Sequence, residues 1–527
     1  MKSITRVAAA VLAVTVVASA CSSASGQNTH KFVDGATMTI AVAQDPGNLD
    51  PQNTLLSVDG TFASFAYDPL VYQDPAGKTV SGLAKSWAHA GNTYTFTLHP
   101  GVTCSDGTAL TASTVAANFS YLADPKNKSP VLGLYIPAGL KASANDAAHT
   151  VTLTLPGPFP FFLTGLVGVP IVCQKGLSDR KLLAQHTDGT GAYVLSSAVA
   201  GDTYTYTVRK DYTWGPGRAS THAAGTPAKL AVKVITNAST ATNLLLSGQV
   251  NIADVSQADR SRVDAAHLMH RDVRKPTGQM YFNQAPGRPT ADENVRRALV
   301  KALDLGQLGK VLTSGTGTPS QGMVTVDPKP CQGDPVKGNL PAHDPTGAGA
   351  LLDQAGWTKG PNGVREKGGH PLSLTLIYST PPDTTSSAAE LAVSQWKAAG
   401  VQVKAVQKPI TQISTVLFGT GEFDISWAGL TVQLPNQLVP LVSGAAPPAG
   451  TNFAHITNSD YSRLATAALA KSGDTGCADW TAAETALVKA VDVVPYYDSL
   501  NPTYAKNASF QAAGGGYIVT SLRMLAG

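Results

Sequence analysis

Five cysteines, eleven histidines and the lack of any complete catalytic signature set the chemical limits of this 527-residue chain. Cys104, Cys173, Cys331 and Cys477 form an even set with no CxxC spacing of the kind that holds zinc. Pairing into two disulfides is the chemistry they suggest in an exported chain, with buried free thiols as the other reading. Four cysteines allow three connectivities. The histidines are scattered without the i, i+4 pairing of a helical metal site, so no metal is expected. There is no HExxH, no GxSxG and no GxxxxGK[ST], and Gly315-Thr316-Gly317 does not complete GxGxxG. On these motifs the chain does not read as an enzyme, and no cofactor is expected.

The start of the chain carries Lys2 and Arg6, then an uncharged apolar run, Val7 to Ala20, well short of the roughly 20 residues that span a bilayer. Residues 1–20 read as a signal peptide. Ala18, Ser19 and Ala20 precede Cys21, and residues 21–36 begin with a small, polar stretch suited to a tether. This is similar to a bacterial lipobox, although that pattern usually has Leu where this chain has Ala18. Lipidation of Cys21 would anchor the chain to the outer face of the cytoplasmic membrane; ordinary cleavage near Ala20 would leave the thiol unmodified. Without Lys2 and Arg6 the chain keeps 37 basic and 35 acidic residues, and only 14% of residues are charged. Nothing in that balance favours nucleic acid.

About 500 residues exceed one hydrophobic core, so two or three domains are expected. Alternation of apolar and polar residues predicts strands at Tyr94, Phe96 and Leu98, at Val151, Leu153 and Leu155, and at Tyr204, Tyr206 and Val208. The spacing of Val295, Leu299, Ala302 and Leu303 predicts a helix over DENVRRALVKALDLGQL, with Arg296 and Asp304 on its polar face, where a solvated charge or a local ion pair is expected. Asp344 is placed to cap a helix, with Pro345 at its first position and Gly356 where it stops. A strand from Leu372 to Tyr378, a helix carrying Ala388, Leu391, Ala392 and Trp396, and a strand from Val401 to Val406 make a βαβ unit, which implies a parallel pair.

Within this frame, FAYDPLVYQDPAGKTVSGLAKSW and YTFTLHPGVTCSDGTALTASTV resemble the leading signature of the family 5 extracellular solute-binding proteins, the peptide, dipeptide and nickel receptors of ABC importers. The matching residues are Leu70, Leu83, Ala84, Trp87, Phe96, Leu98, Gly101, Val102, Asp106, Gly107, Thr111, Ala112 and Val115. GTGAY, VRKDYTWGPG, LLSGQVNIADV, YFN, VRRALVKALD, LLDQAGW and GEFDISWAGL continue the likeness in order over roughly residues 38 to 510. The resemblance implies an α/β, two-lobed periplasmic-binding-protein type II fold with an extra domain inserted in the first lobe (cluster C type). Lobe one would comprise 37–60, 180–275 and 490–527, the extra domain 61–179, and lobe two 276–489. Grouping by lobe favours pairing Cys104 with Cys173 and Cys331 with Cys477. The expected partners are a small, peptide-like molecule enclosed between the lobes, an ABC permease and its ATPase, with the chain a monomer; a receptor-like lipoprotein serving as a non-transporting scaffold is the alternative.

The resemblance also proposes where ligand is touched. Trp427 follows the strand Phe423 to Ser426 at a point where related receptors line their clefts, and Asn283 and Asn452 are similar candidates. Aromatic and amide side chains give area and hydrogen bonds without committing to a charged partner. Asp106-Gly107 reads as a hairpin turn, and Gly189, Gly191 and Tyr193 as shapers of an interlobe crossover. Peptide receptors of the family commonly carry an Asp shortly after this Trp to pair with the peptide's free amino terminus, whereas this chain continues AGLTVQLP with no acid. A buried ammonium without its carboxylate is costly, so a blocked peptide or another polar molecule gains weight over a free-amine peptide.

Overall fold

The computed structural model describes residues 31–54, 57–380, 383–514 and 516–527. The expected signal peptide, Cys21 and most of the expected tether lie outside them. The molecule is organised by one eleven-stranded sheet. Its strands are β1 (Thr37–Val42), β2 (Tyr193–Val199), β3 (Thr203–Val208), β4 (Lys229–Val234), β5 (Ile252–Asp254), β6 (Met269–Phe282), β7 (Ser373–Thr380), β8 (Gln402–Pro409), β9 (Ile425–Trp427) and β10 (Val493–Ala505). They lie in the order β8-β7-β9-β6-β10-β5-β1-β4-β3-β2, with the short strand Thr318–Pro319 beside β10.

Two parallel groups face each other across this order. In the first lobe β1 runs parallel to β4 and β5, and in the second β7 runs parallel to β8 and β9. Between them β6 and β10 pair antiparallel from Met269 with Ala505 to Tyr281 with Val493, with register shifts on either side of Gly278. One end of each strand belongs to each lobe: Ala505 joins the first core with Met38 and Ile40, whereas Met280, Phe282 and Val494 join the second with Leu374 and Trp396.

The first core continues without a break into a four-stranded sheet made by Ala84–Ala90, Thr93–Leu98, Thr150–Thr154 and Lys141–Asn145. Phe96, Val151 and Leu153 point into that core, as their alternation predicts. Buried Asp68 accepts hydrogen bonds from the Tyr72 hydroxyl (2.6 Å), the Tyr212 hydroxyl (2.7 Å), the Thr190 hydroxyl (2.8 Å) and Trp214 Nε1 (3.1 Å). The Tyr212 and Trp214 motif is thus a tie within the first lobe. Gly191 sits so close to helix α1 (Ser57–Ala66) that an added Cβ would lie 2.3 Å from the Ala66 carbonyl carbon, and its N–H donates to the Ala66 oxygen at 2.9 Å.

In the second lobe α4 (Pro345–Gln354) begins where Asp344 accepts from the Gly347 N–H, and Gly356 takes a φ of +83°. β7, α5 (Asp383–Ala398) and β8 form the expected βαβ unit. The single helix expected over residues 292–308 is two: α2 (Glu293–Lys301), capped by Asp292, and α3 (Leu305–Leu312), capped by Asp304. Arg296 is not solvated as its helical position suggested. It is 4% exposed and donates to Asp492 (3.0 Å) and to the carbonyls of Val491, Thr290, Ala291 and Ala490 at 3.0–3.2 Å. Its guanidinium closes the end of α7 (Cys477–Lys489), the helix that follows α6 (Ser459–Leu469) and whose last carbonyls need donors. Disulfides join Cys104 to Cys173 and Cys331 to Cys477.

Candidate functional site

The carboxyl ends of parallel strands are where open α/β sheets bind ligands. Here those of β1, β4 and β5 in the first lobe and of β7 and β9 in the second flank the β6–β10 ribbon. On the second lobe the chain leaves β9 at Trp427 and runs back along β6, so close that a Cβ on Gly429 would lie 2.1 Å from the Pro276 carbonyl oxygen. Leu430 N–H donates to Gln279 Oε1 at 2.8 Å, and Thr325 N–H donates to the Val432 carbonyl at 3.0 Å. Gln437 Oε1 accepts from the N–H groups of Gln433 and Leu434, both at 3.0 Å, which holds the tip of this loop in shape.

From the other side comes the segment 131–170. Phe161, 5% exposed, takes a left-handed φ of +57° and shares a buried cluster with Tyr281, Val324, Val432, Leu434 and Phe453 of the second lobe. Tyr135 packs against the first core and against this cluster. A Cβ on Gly165 would lie 3.4 Å from Tyr135 and 3.7 Å from Leu434. The seam between the lobes is therefore aromatic and aliphatic at this end.

Beneath it lies a set of buried polar atoms with no hydrogen-bond partner: Gln279 Nε2, Ser426 Oγ and Thr325 Oγ1. They are connected through neighbouring contacts. Tyr281 pairs with Ser426 across β6 and β9, and its hydroxyl donates to Gln279 Oε1 at 2.8 Å. Toward the first lobe, Arg274 reaches Asp498 (3.4 Å) and the Thr318 hydroxyl (2.9 Å). Burial pushes the Asp498 carboxyl up to about 6, against the opposing pull of the Ser320 hydroxyl and Arg274.

The three residues expected at the ligand fare differently. Trp427 is the last residue of β9, 4% exposed, within the second-lobe core beside Tyr496 (6.4 Å between ring centres), and its Nε1 has no partner. Asn283 is fully engaged with the chain: Nδ2 donates to the carbonyls of Gly421 and Phe423, both at 3.1 Å, and Oδ1 accepts from Ala285 N–H at 3.1 Å. Asn452 likewise donates to Gly444 (3.1 Å) and Ile456 (2.9 Å) and accepts from Ile456 N–H (3.0 Å). These two amides act as turn locks, which removes the physical reason for expecting either at a ligand. Gln279 and Ser426 escaped the sequence reading because a polar residue in a strand reads as solvated until its neighbours are known, and Thr325 because it lies in a loop with no pattern of its own.

Among the described residues no cluster of His, Cys, Asp and Glu could hold a metal ion, and no helix is long and apolar enough to cross a membrane. A fold of two α/β lobes joined by a strand pair, with a seam between them, defines a solute-binding protein of the type II periplasmic class. The family model of the bacterial extracellular solute-binding proteins, family 5, matches residues 78–446, and the chain belongs to that family. It is 29% identical to Protein XP55 of Streptomyces lividans, over 76% of this chain and 72% of that protein. It is 28% identical to the periplasmic murein peptide-binding protein MppA of Escherichia coli, over 87% of each. A crystal structure of a substrate-binding protein from Microbacterium hydrocarbonoxydans complexed with 4-hydroxybenzoate hydrazide superposes with a TM-score of 0.75 at 25% identity, covering 93% of this chain and all of that one. The last two are named as binding proteins, and members of the family are solute-binding proteins, not enzymes, that work outside the cytoplasm with ABC importers.

Proposed function

We propose that this protein is the receptor of an ABC importer that encloses a peptide or peptide-like molecule between its lobes and delivers it to a membrane permease, held at the membrane by a lipid on Cys21. The observation that supports this best is the seam itself: buried but unpartnered Gln279 Nε2, Ser426 Oγ and Thr325 Oγ1 beneath an apolar cover that includes Phe161 and Leu434. An unpartnered buried amide or hydroxyl is costly, and a ligand rich in peptide groups relieves that cost with its own N–H and C=O. The apolar cover suits side chains of such a ligand, and the relatives named for peptides and for a hydrazide fit the same chemistry.

The test is mass spectrometry of small molecules retained by the purified mature protein, followed by thermal unfolding with the compound added back. A ligand that binds only the native state raises the melting temperature. The reading expects a defined compound whose stabilising effect falls at least tenfold in apparent affinity in Gln279→Ala. It fails if nothing is retained and no peptide mixture shifts unfolding.

A further inference from the structure

The lack of an acid after Trp427 argued against a ligand with a free amino group, but the first lobe contains a carboxylate that no cation among the described residues neutralises. Asp59, in the first turn of α1, is 5% exposed. Its Oδ2 accepts from the Thr54 hydroxyl, and its Oδ1 has no partner. Burial raises its pKa, the Thr54 hydroxyl works against that, and nearby Asp45 raises it further. Among the described residues no Lys, Arg or His forms an ion pair with it.

Of the other buried acids, Asp50, Asp424, Asp492 and Asp498 each pair with an arginine, although Asp498 Oδ1 is itself unpartnered; Asp68 has four donors, Asp188 has the Gly176 N–H and the Ser105 hydroxyl, and Glu484 has the Met323 N–H. Asp59 is also well placed. Asp45, whose charge it feels, follows the carboxyl end of β1. The segment leading to Thr54 is held by Ser129, whose hydroxyl donates to the Gln52 carbonyl at 2.7 Å, and by Pro170, whose carbonyl accepts from Gln52 Nε2 at 2.8 Å. Ser129 just precedes, and Pro170 ends, the segment that carries Tyr135 and Phe161 to the seam. The hairpin formed by Ala512–Ala513 and Gly516–Tyr517 packs on α1, and a Cβ on its Gly514 would lie 3.5 Å from Nε2 of Gln433 in the loop that follows β9.

Resting on the receptor reading, we propose that Asp59 is the specificity-determining anion of the cleft, pairing with an ammonium group of the ligand, so that the first lobe supplies the carboxylate missing from the Trp427 loop. Its position in the first turn of α1 favours the ionised form, and a ligand ammonium completes the neutralisation.

The experiment uses the mature protein and two tripeptide mixtures of the same composition, both amidated at the carboxyl end, one with free and one with acetylated amino termini, titrated by calorimetry. The expected result is binding of the free-amine mixture at least tenfold tighter than the acetylated one, a preference that shrinks to within twofold in Asp59→Asn. Asp59→Glu, which keeps the charge, retains the preference. Ligand-free Asp59→Asn keeps or gains melting temperature, whereas a residue with a purely structural role would lose it. Equal binding of both mixtures to the wild type overturns the role of Asp59 and leaves the receptor reading standing, and that wild-type ratio decides even if Asp59→Asn does not fold. No binding of either mixture overturns both.

Discussion

Glu484, on α7, gives the sharpest thermodynamic test. Its carboxylate is 7% exposed and accepts from the Met323 N–H, so it ties α7 to the segment that runs on through Val324 and Thr325 to the seam. Burial raises its pKa from 4.5 to about 7, although the Met323 N–H and the charge of Lys329 pull the other way. A raised acid pKa means that the native state holds its proton where the unfolded chain has lost it. Stability from this group is complete below pH 4.5, falls as pH rises and reaches its floor above about pH 7. A shift of roughly 2.5 units at 1.36 kcal/mol each corresponds to about 3 kcal/mol. For a cooperative unit of about 200 residues that is about 6–12 °C in melting temperature. Glu484→Gln keeps an oxygen for the Met323 N–H and cannot ionise. The measurement is thermal unfolding of both proteins from pH 5 to pH 8. The variant gains on the wild type by that amount across the window, while groups common to both, Asp498 among them, cancel in the difference. Two curves that stay parallel within about 2 °C would refute a buried, proton-holding Glu484.

Further outcomes follow from the same geometry. Arg296→Met strands Asp492 and four carbonyls and is expected to cost about 3–5 kcal/mol in urea unfolding, most of which Arg296→Met with Asp492→Leu recovers; a loss below about 1 kcal/mol would contradict the burial of this pair. Replacing Cys331 and Cys477 by Ser opens a link across 146 residues and is expected to cost about 5 kcal/mol by loop entropy, read as a lower denaturant midpoint. Phe161→Ala removes the ring seated against the second lobe, lowers the melting temperature by the equivalent of about 3 kcal/mol and increases the radius of gyration seen by X-ray scattering. An unchanged radius would show that Phe161 does not hold the lobes together.

The elements that follow period rules were legible in the sequence. The βαβ unit, the Asp344 cap and the alternating strands at 94–98, 151–155 and 204–208 each depend on neighbours a few residues away, and the structure has them. What could not be read depends on partners far along the chain. Arg296 occupies a polar helical position, yet its partners lie near residue 490. Asn283 and Asn452 resemble ligand amides in a string of letters because the carbonyls they satisfy are made by turns that only the fold creates. Asp59 was passed over for the same reason: α1 shows no strong contrast between faces, and a carboxylate without a cation is invisible until every other acid has been matched. The family likeness was readable because it is carried by many short motifs in order, most of which, like Tyr212 and Trp214 around Asp68, shape the fold.

The strand pair that joins the lobes also has a consequence for how motion would be detected. β6 and β10 are not loops but members of the same sheet as their neighbours on both sides, β9 and β5. Opening must therefore twist a hydrogen-bonded ribbon about the irregular step at Gly278 without breaking its ladder. In hydrogen–deuterium exchange, the amides of this spine should remain slow whether or not ligand is present. The record of opening and closing would be written instead in the loop after Trp427 and in the segment around Phe161, whose amides are shielded only while the halves meet.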